Sequence, residues 1–214
     1  VRKLLEEAAD GKARQALSVP DVSRYDIALG MCGNGTEIFS RLKKEADGKL
    51  LLSAIDNIVN TKALLAKADG EMIIAASNLT ASLPQFALRI QKSPGSVASG
   101  EKMKAEDVFA DGAEGISPYE NGFQKATRSG TICFSETDSL LYIYTREVPE
   151  ALSKTGTASA DGKDIRLFLH LNMEKASSAE GEDNPLRMLG KFLPGKKNLK
   201  MYGLADGELT IKFD

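Results

Sequence analysis

The stretch whose residue types and spacing best suit chemistry runs from Tyr25 to Leu42. There the apolar run Ile27-Ala28-Leu29 leads into Gly30, Gly33 and Gly35 and then into an amphipathic segment. A strand that turns on glycines into a helix N-terminus presents unpaired backbone N–H groups at the positive end of the helix dipole, which suits an anion or a cofactor tail. Two phosphate-binding patterns fail here. Gly30 and Gly35 have the separation of the outer glycines of a phosphate loop, but Thr36 stands where that loop needs a charge-neutralising lysine. The order of Gly30, Gly33 and Gly35 also departs from the dinucleotide fingerprint. With no ligand, the same residues read as a glycine turn that ends one segment and caps the next helix.

Other titratable groups are scattered. His170 is the chain's one histidine; it falls on the polar phase of an alternating segment, lacks the Ser, Cys or carboxylate spacing of a base, and reads as a surface strand residue. Glu180, Glu182 and Asp183 are too few for a metal loop and miss the calcium-loop spacing, so they read as a solvated acidic loop. Lys191, Lys196, Lys197 and Lys200 form a basic cluster suited to an anion or a partner contact. Cys32 and Cys133 read as two buried thiols more readily than as a disulfide. No catalytic set and no metal site are assigned.

The segment Cys32-Gly33-Asn34-Gly35-Thr36 resembles the first motif of the Rossmann-like S-adenosylmethionine-dependent methyltransferases. The resemblance implies that Gly33 and Gly35 approach the cofactor. It also implies that Asp56, after the apolar run Leu50 to Ile55, holds the ribose hydroxyls from the end of a second strand. Leu193-Pro194-Gly195 with Lys196 adds a further likeness. Met31 stands in place of the family's first glycine and Leu29 in place of its usual acid, and the family needs alternating strands and helices.

Composition narrows the functional classes. A chain of 214 residues with 42% hydrophobic content can bury one substantial core or two small ones. A net charge of -2 argues against a general nucleic-acid binder, and the absence of Trp with 6% aromatic residues leaves few stacking platforms. No apolar run approaches the roughly 20 residues that cross a bilayer, so no transmembrane segment is expected. The start at Val1 fits a trimmed chain or a mature form after removal of a targeting segment.

The elements that must position these residues are marked out by a recurring tripeptide. Ala-Asp-Gly occurs at 9–11, 46–48, 68–70, 110–112, 160–162 and 205–207 without a fixed period, and it reads as a stop signal rather than a structural repeat. Before residue 70 the apolar spacing is helical. Thr36 is placed to cap a helix with Ile38, Phe39 and Leu42 inward, and apolar residues from Leu51 to Ala66 keep a 3.6-residue period up to Asp69-Gly70. After residue 70 the period becomes two. Strands are expected at 72–76, 86–90, 131–135, 140–146, 165–173 and 208–213, with one solvated face, and a short helix near 186–192. Loops at 93–101, 155–163 and 176–185 read as exposed.

The resulting expectation is an α+β fold in one compact domain, with a helical N-terminal region (1–70) packed on a C-terminal antiparallel sheet (71–214). Its function is expected to be association: a non-catalytic accessory or structural subunit that meets other protein subunits and carries no cofactor. The methyltransferase-like enzyme is the first alternative. A small-ligand or lipid carrier built on the apolar strand faces is the second.

Overall fold

The computed structural model describes residues 17, 25–44, 56, 59–77, 85–110, 114–145, 159–160, 163–174, 197–204 and 208–213. Their architecture is set by one antiparallel sheet. The first strand, β1 (Ile27–Asn34), is followed by helix α1 (Gly35–Leu42), helix α2 (Thr61–Ala66), β2 (Ala68–Ser77) and β3 (Gln85–Lys92). Helices α3 (Pro94–Ser99) and α4 (Ala105–Val108) precede β4 (Ile116–Tyr119), β5 (Gly122–Thr127), β6 (Gly130–Glu136) and β7 (Leu140–Tyr144). The chain then forms β8 (Ser159–Ala160), β9 (Lys163–Asn172), β10 (Asn198–Leu204) and β11 (Leu209–Phe213). The strand order is β11-β10-β9-β1-β2-β3-β7-β6-β5-β4, with β8 paired to β9 off this path.

This order overturns the expected helical N-terminal region packed on a C-terminal sheet. The first 70 residues supply β1, an interior strand flanked by β2 and β9, and residue 70 lies inside β2. The described helices span at most eight residues. The physical reason lies in β1 itself. Ala28, Gly30 and Cys32 point to one face and Ile27, Leu29 and Met31 to the other, so a period of two is hidden in a run that is apolar throughout.

The expected long helix ending at Asp69-Gly70 is also interrupted. Val59 forms an isolated antiparallel bridge with Phe109, and α2 starts only after Asn60. Asn60 Oδ1 accepts the Ala63 N–H at 3.1 Å and Asp56 Oδ1 accepts the Thr61 N–H at 3.2 Å, which satisfies two of the orphan donors at the start of α2. The Ala-Asp-Gly copy at 68–70 is no stop signal, because it lies within β2. Gly70 has φ +135° where the β2–β3 register shifts between Ala68 and Met72, a backbone that favours glycine. The copies at 9–11, 46–48 and 205–207 lie outside the described residues. So does the helix expected at 186–192.

Residues 93–101, expected as an open loop, contain α3. Ser93 Oγ accepts the Ser96 N–H at 3.2 Å, Pro94 occupies the first helical position, and Gly100 closes the helix in the left-handed conformation.

One cross-strand rib crosses all ten strands of the path. It runs Thr210, Tyr202, Phe168, Gly30, Ile73, Arg89, Tyr142, Ser135, Gly122 and Tyr119. On this face Ala28, Cys32, Ile73, Ala75, Ala87, Cys133, Tyr144 and Phe168 form one buried cluster. The opposite face packs Met72, Ile90, Ile132, Phe134, Leu141 and Ile143 against Leu64 of α2, Val108 of α4, Met103 and Phe109. There Phe123 and Phe134 stack across β5 and β6 with centroids 5.8 Å apart. The apolar faces of the strands from β1 to β3, β6 and β7 are thus taken up in packed clusters.

Candidate functional site

Gly33 and Gly35 stand where a strand passes into a helix, as their spacing requires. Gly33 lies in β1 and Gly35 opens α1, but the cap is Asn34, not Thr36: Asn34 Oδ1 accepts the Glu37 N–H at 3.2 Å. The close backbone approach at Gly35 is to α2. A Cβ added there would collide with the Leu65 carbonyl oxygen and lie 2.7 Å from the Ala68 Cβ. At Gly30 the space of the missing side chain is filled by the Phe168 ring, with Leu17 Cδ2 at 3.1 Å. These two glycines therefore serve packing within the chain.

Asp56 is exposed, with its carboxylate engaged by the Thr61 N–H before α2. β1 is antiparallel to both β2 and β9, whereas the sheet implied by the methyltransferase resemblance is built from parallel crossovers.

Of the basic cluster, Lys191 and Lys196 lie outside the described residues. Lys197 is exposed just before β10, and its carbonyl accepts the Met173 N–H at 2.8 Å. Lys200 lies within β10, between His170 on β9 and Lys212 on β11. His170 is a correction: at 2% exposure it is buried, because β9 is an interior strand with both faces covered. Bulky Phe168 on the same phase was the one signal of this in the sequence.

The rib face holds the most ionisable chemistry. Arg89, 1% exposed, forms an ion pair with Glu71, and the Glu71 N–H donates to Gln91 Oε1 at 3.1 Å. Burial lowers the Arg89 guanidinium from its usual range, opposed by Tyr142 directly across on β7. Burial raises the Tyr142 hydroxyl in turn, and the arginine opposes that shift. Burial pushes the Cys32 thiol up to about 11, opposed by Arg166, and raises the Cys133 thiol with help from Glu120. Both cysteines are free and buried, so neither is poised as a nucleophile at neutral pH. Arg89 is neutralised by its carboxylate, and its pairing with Glu71 ties β3 to β2.

On the other face, Lys92 Nζ meets Glu136 Oε1 at 2.7 Å with both side chains almost fully buried, and Glu136 Oε2 accepts the Met103 N–H at 2.9 Å. Among the described residues no group of three or more His, Cys, Asp or Glu side chains is placed to hold a metal ion.

The feature that remains after this packing is the end of the sheet at β11. Leu209, Ile211 and Phe213 are 47%, 48% and 40% exposed and point to one face. They extend a smaller apolar cluster of Leu171, Met173 and Leu199, against which Ile27 and Met201 pack. Among the described strands β11 pairs only with β10, so its outer backbone groups face away from the sheet. The sequence shows the alternation of these three residues. It does not show that their strand is the last in the sheet, which is what exposes them. Among the described residues no helix is long and apolar enough to cross a membrane.

Comparison with known protein families, with curated proteins and with solved structures finds no match to this chain.

Proposed function

We propose that the chain works by association, as a non-catalytic accessory or structural subunit whose end strand β11 takes up a strand of another protein. The observation that carries this reading is the exposed row Leu209, Ile211 and Phe213 on a strand that, among the described strands, pairs only with β10. Strand addition joins main-chain hydrogen bonds along such an edge to side-chain contacts at alternate positions. Covering what is exposed of these three side chains is worth roughly 2–4 kcal/mol. The buried ionisable groups of both sheet faces support the same reading, because their ion pairs join strands and loops of the chain itself.

The test compares the full chain with its Ile211→Lys variant. Ile211 is about half exposed, so the variant is expected to melt within a few degrees of the parent while losing bound protein recovered from a native extract. A parent chain that remains monomeric and retains no protein, or a variant that retains the same protein equally well, overturns the reading.

A further inference from the structure

We infer that Asn121 is a site of covalent self-modification, where the backbone nitrogen of Gly122 closes on the Asn121 side chain and water opens the resulting succinimide to aspartate or isoaspartate. The site lies at the other end of the sheet from β11 and does not depend on how that strand is used.

The chemistry needs an asparagine followed by a residue that leaves room for ring closure. The chain holds two Asn-Gly pairs, Asn34-Gly35 and Asn121-Gly122. With no Cβ on the following residue, its backbone nitrogen can approach the asparagine Cγ. The nitrogen bonds to Cγ and loses its proton, the bond from Cγ to the amide nitrogen breaks, and ammonia leaves. Water then adds to one imide carbonyl. Opening at the former side-chain carbonyl gives aspartate. Opening at the main-chain carbonyl gives isoaspartate, in which the chain runs through the former side chain.

The fold separates the two pairs. The Asn34 side chain is engaged, since its Oδ1 accepts the Glu37 N–H at 3.2 Å as the cap of α1. Asn34 also stands opposite Asp69 at the end of the interior strand β1, and Gly35 is packed against the Leu65 carbonyl. Reaction there requires loss of the cap, which slows it by roughly fivefold. Asn121 is exposed, and among the described residues its side chain makes no hydrogen bond.

The turn around Asn121 is also poised to open. Glu120 and Asn121 form the two-residue connection between β4 and β5, and Glu120 is held at φ +46°, a left-handed backbone that is costly for a residue with a side chain. The Ala126 N–H donates to the Gly115 carbonyl at 3.3 Å, and bonded and non-bonded pairs alternate along an antiparallel ladder. Tyr119 and Gly122 are therefore the last bonded pair before the turn, so opening that pair frees the Gly122 nitrogen and relaxes Glu120. β4 is the last strand in the order and has no buried side chain, which makes such local opening easy.

The product alters the sheet. The Asn121 carbonyl accepts the Glu136 N–H at 3.3 Å, and Glu136 in turn holds Lys92 and the Met103 N–H. In isoaspartate that carbonyl becomes part of a free carboxylate beside Glu120, and the turn gains a main-chain carbon. A two-residue turn sets the register of its hairpin, so the longer one loosens β4 and β5 at the end of β6.

The experiment incubates the full chain, folded, in mildly alkaline buffer and follows amide-to-acid conversion at each asparagine by peptide mass mapping. Asn121 is expected to convert faster than Asn34 by roughly fivefold or more, and the two rates are expected to draw together in urea, where neither side chain is held. Each conversion adds one negative charge, so the product separates by ion exchange and is expected to melt below the parent. Asn121→Gln lengthens the side chain beyond easy ring closure at an exposed turn position. It is expected to melt with the parent and to lose the fast-forming acidic species. Asn34 converting as fast as Asn121 in the folded chain overturns the inference, as does an Asn121 that converts only in urea. A rate ratio unchanged by urea overturns the role given to the fold.

Discussion

Glu136 is the residue whose replacement tests the packing of the sheet most sharply. Its carboxylate has two partners, the Lys92 ammonium at 2.7 Å and the Met103 N–H at 2.9 Å, with exposures of 4% for the Lys92 side chain and 2% for its own. The pair bridges the end of β3 to the end of β6 across β7, and the Met103 bond pins the segment between α3 and α4 onto the same face. Glu136→Leu leaves an ammonium buried without its counterion, which costs about 3–5 kcal/mol. It also leaves a buried amide without an acceptor, worth a further 1–3 kcal/mol or so. Lys92→Met is expected to cost less, since the carboxylate keeps the Met103 N–H.

The double variant Lys92→Met with Glu136→Leu removes both charges, so only the amide cost of about 1–3 kcal/mol is expected to remain. For a chain of this length each kcal/mol moves the melting temperature by roughly 2–4 °C, so with its summed cost of about 4–8 kcal/mol Glu136→Leu is expected to melt roughly 8–32 °C below the parent. Urea denaturation followed by circular dichroism gives the free energies, and the double-mutant cycle gives the coupling. Additive single losses, or a Glu136→Leu cost under about 1 kcal/mol, would refute the account of a desolvated pair.

Two further predictions concern the glycines and the thiols. Gly35→Ala is expected to destabilise more than Gly30→Ala, because the added methyl meets the Leu65 backbone carbonyl in the first case and a movable Phe168 ring in the second. Overpacking typically costs about 1–3 kcal/mol, and pairing Gly30→Ala with Phe168→Leu should recover part of it; equal losses at the two glycines on thermal melting would contradict this. The Cys32 thiol is raised from 9.0 to about 11 in the folded chain, so its contribution to stability is fully present below pH 9 and is lost as pH rises through about 11. The melting temperature is expected to fall over that window, less steeply in Cys32→Ala. Both thiols should resist a disulfide reagent at pH 8 until denaturant is added, and rapid labelling of the folded chain would show that the burial assigned to them is wrong.

Several strands were legible in the sequence from their residue types and periods. β9 and β11 fall where an alternation of period two places them, and β2, β3, β6 and β7 where short runs rich in apolar, β-branched or aromatic residues place them, within a few residues. β4 and β5 escaped because Ile116 to Thr127 is polar and interrupted by Pro118 and Gly122, and their pairing comes from neighbours rather than from their own composition. β10 was masked by the lysines around it and by Gly203. β1 was read as the strand leading into a glycine turn but not as an interior strand of the sheet. Its small residues Ala28, Gly30 and Cys32 suit a face crowded by Phe168, a partner 138 positions further along the chain.

For the site, the sequence by itself determined which residues share a side of a strand: Leu209, Ile211 and Phe213 on one face of β11, Thr210 and Lys212 on the other. That follows from the geometry of a single extended chain and needs no partner. Whether such a row is core or surface was decided by strand order alone. β9 carries its polar phase into the interior because β1 and β10 flank it, so His170 is buried, while β11 lies last in the order and its apolar phase stays exposed. Strand order depends on contacts between segments far apart in the chain, and alternation within one segment carries no information about them.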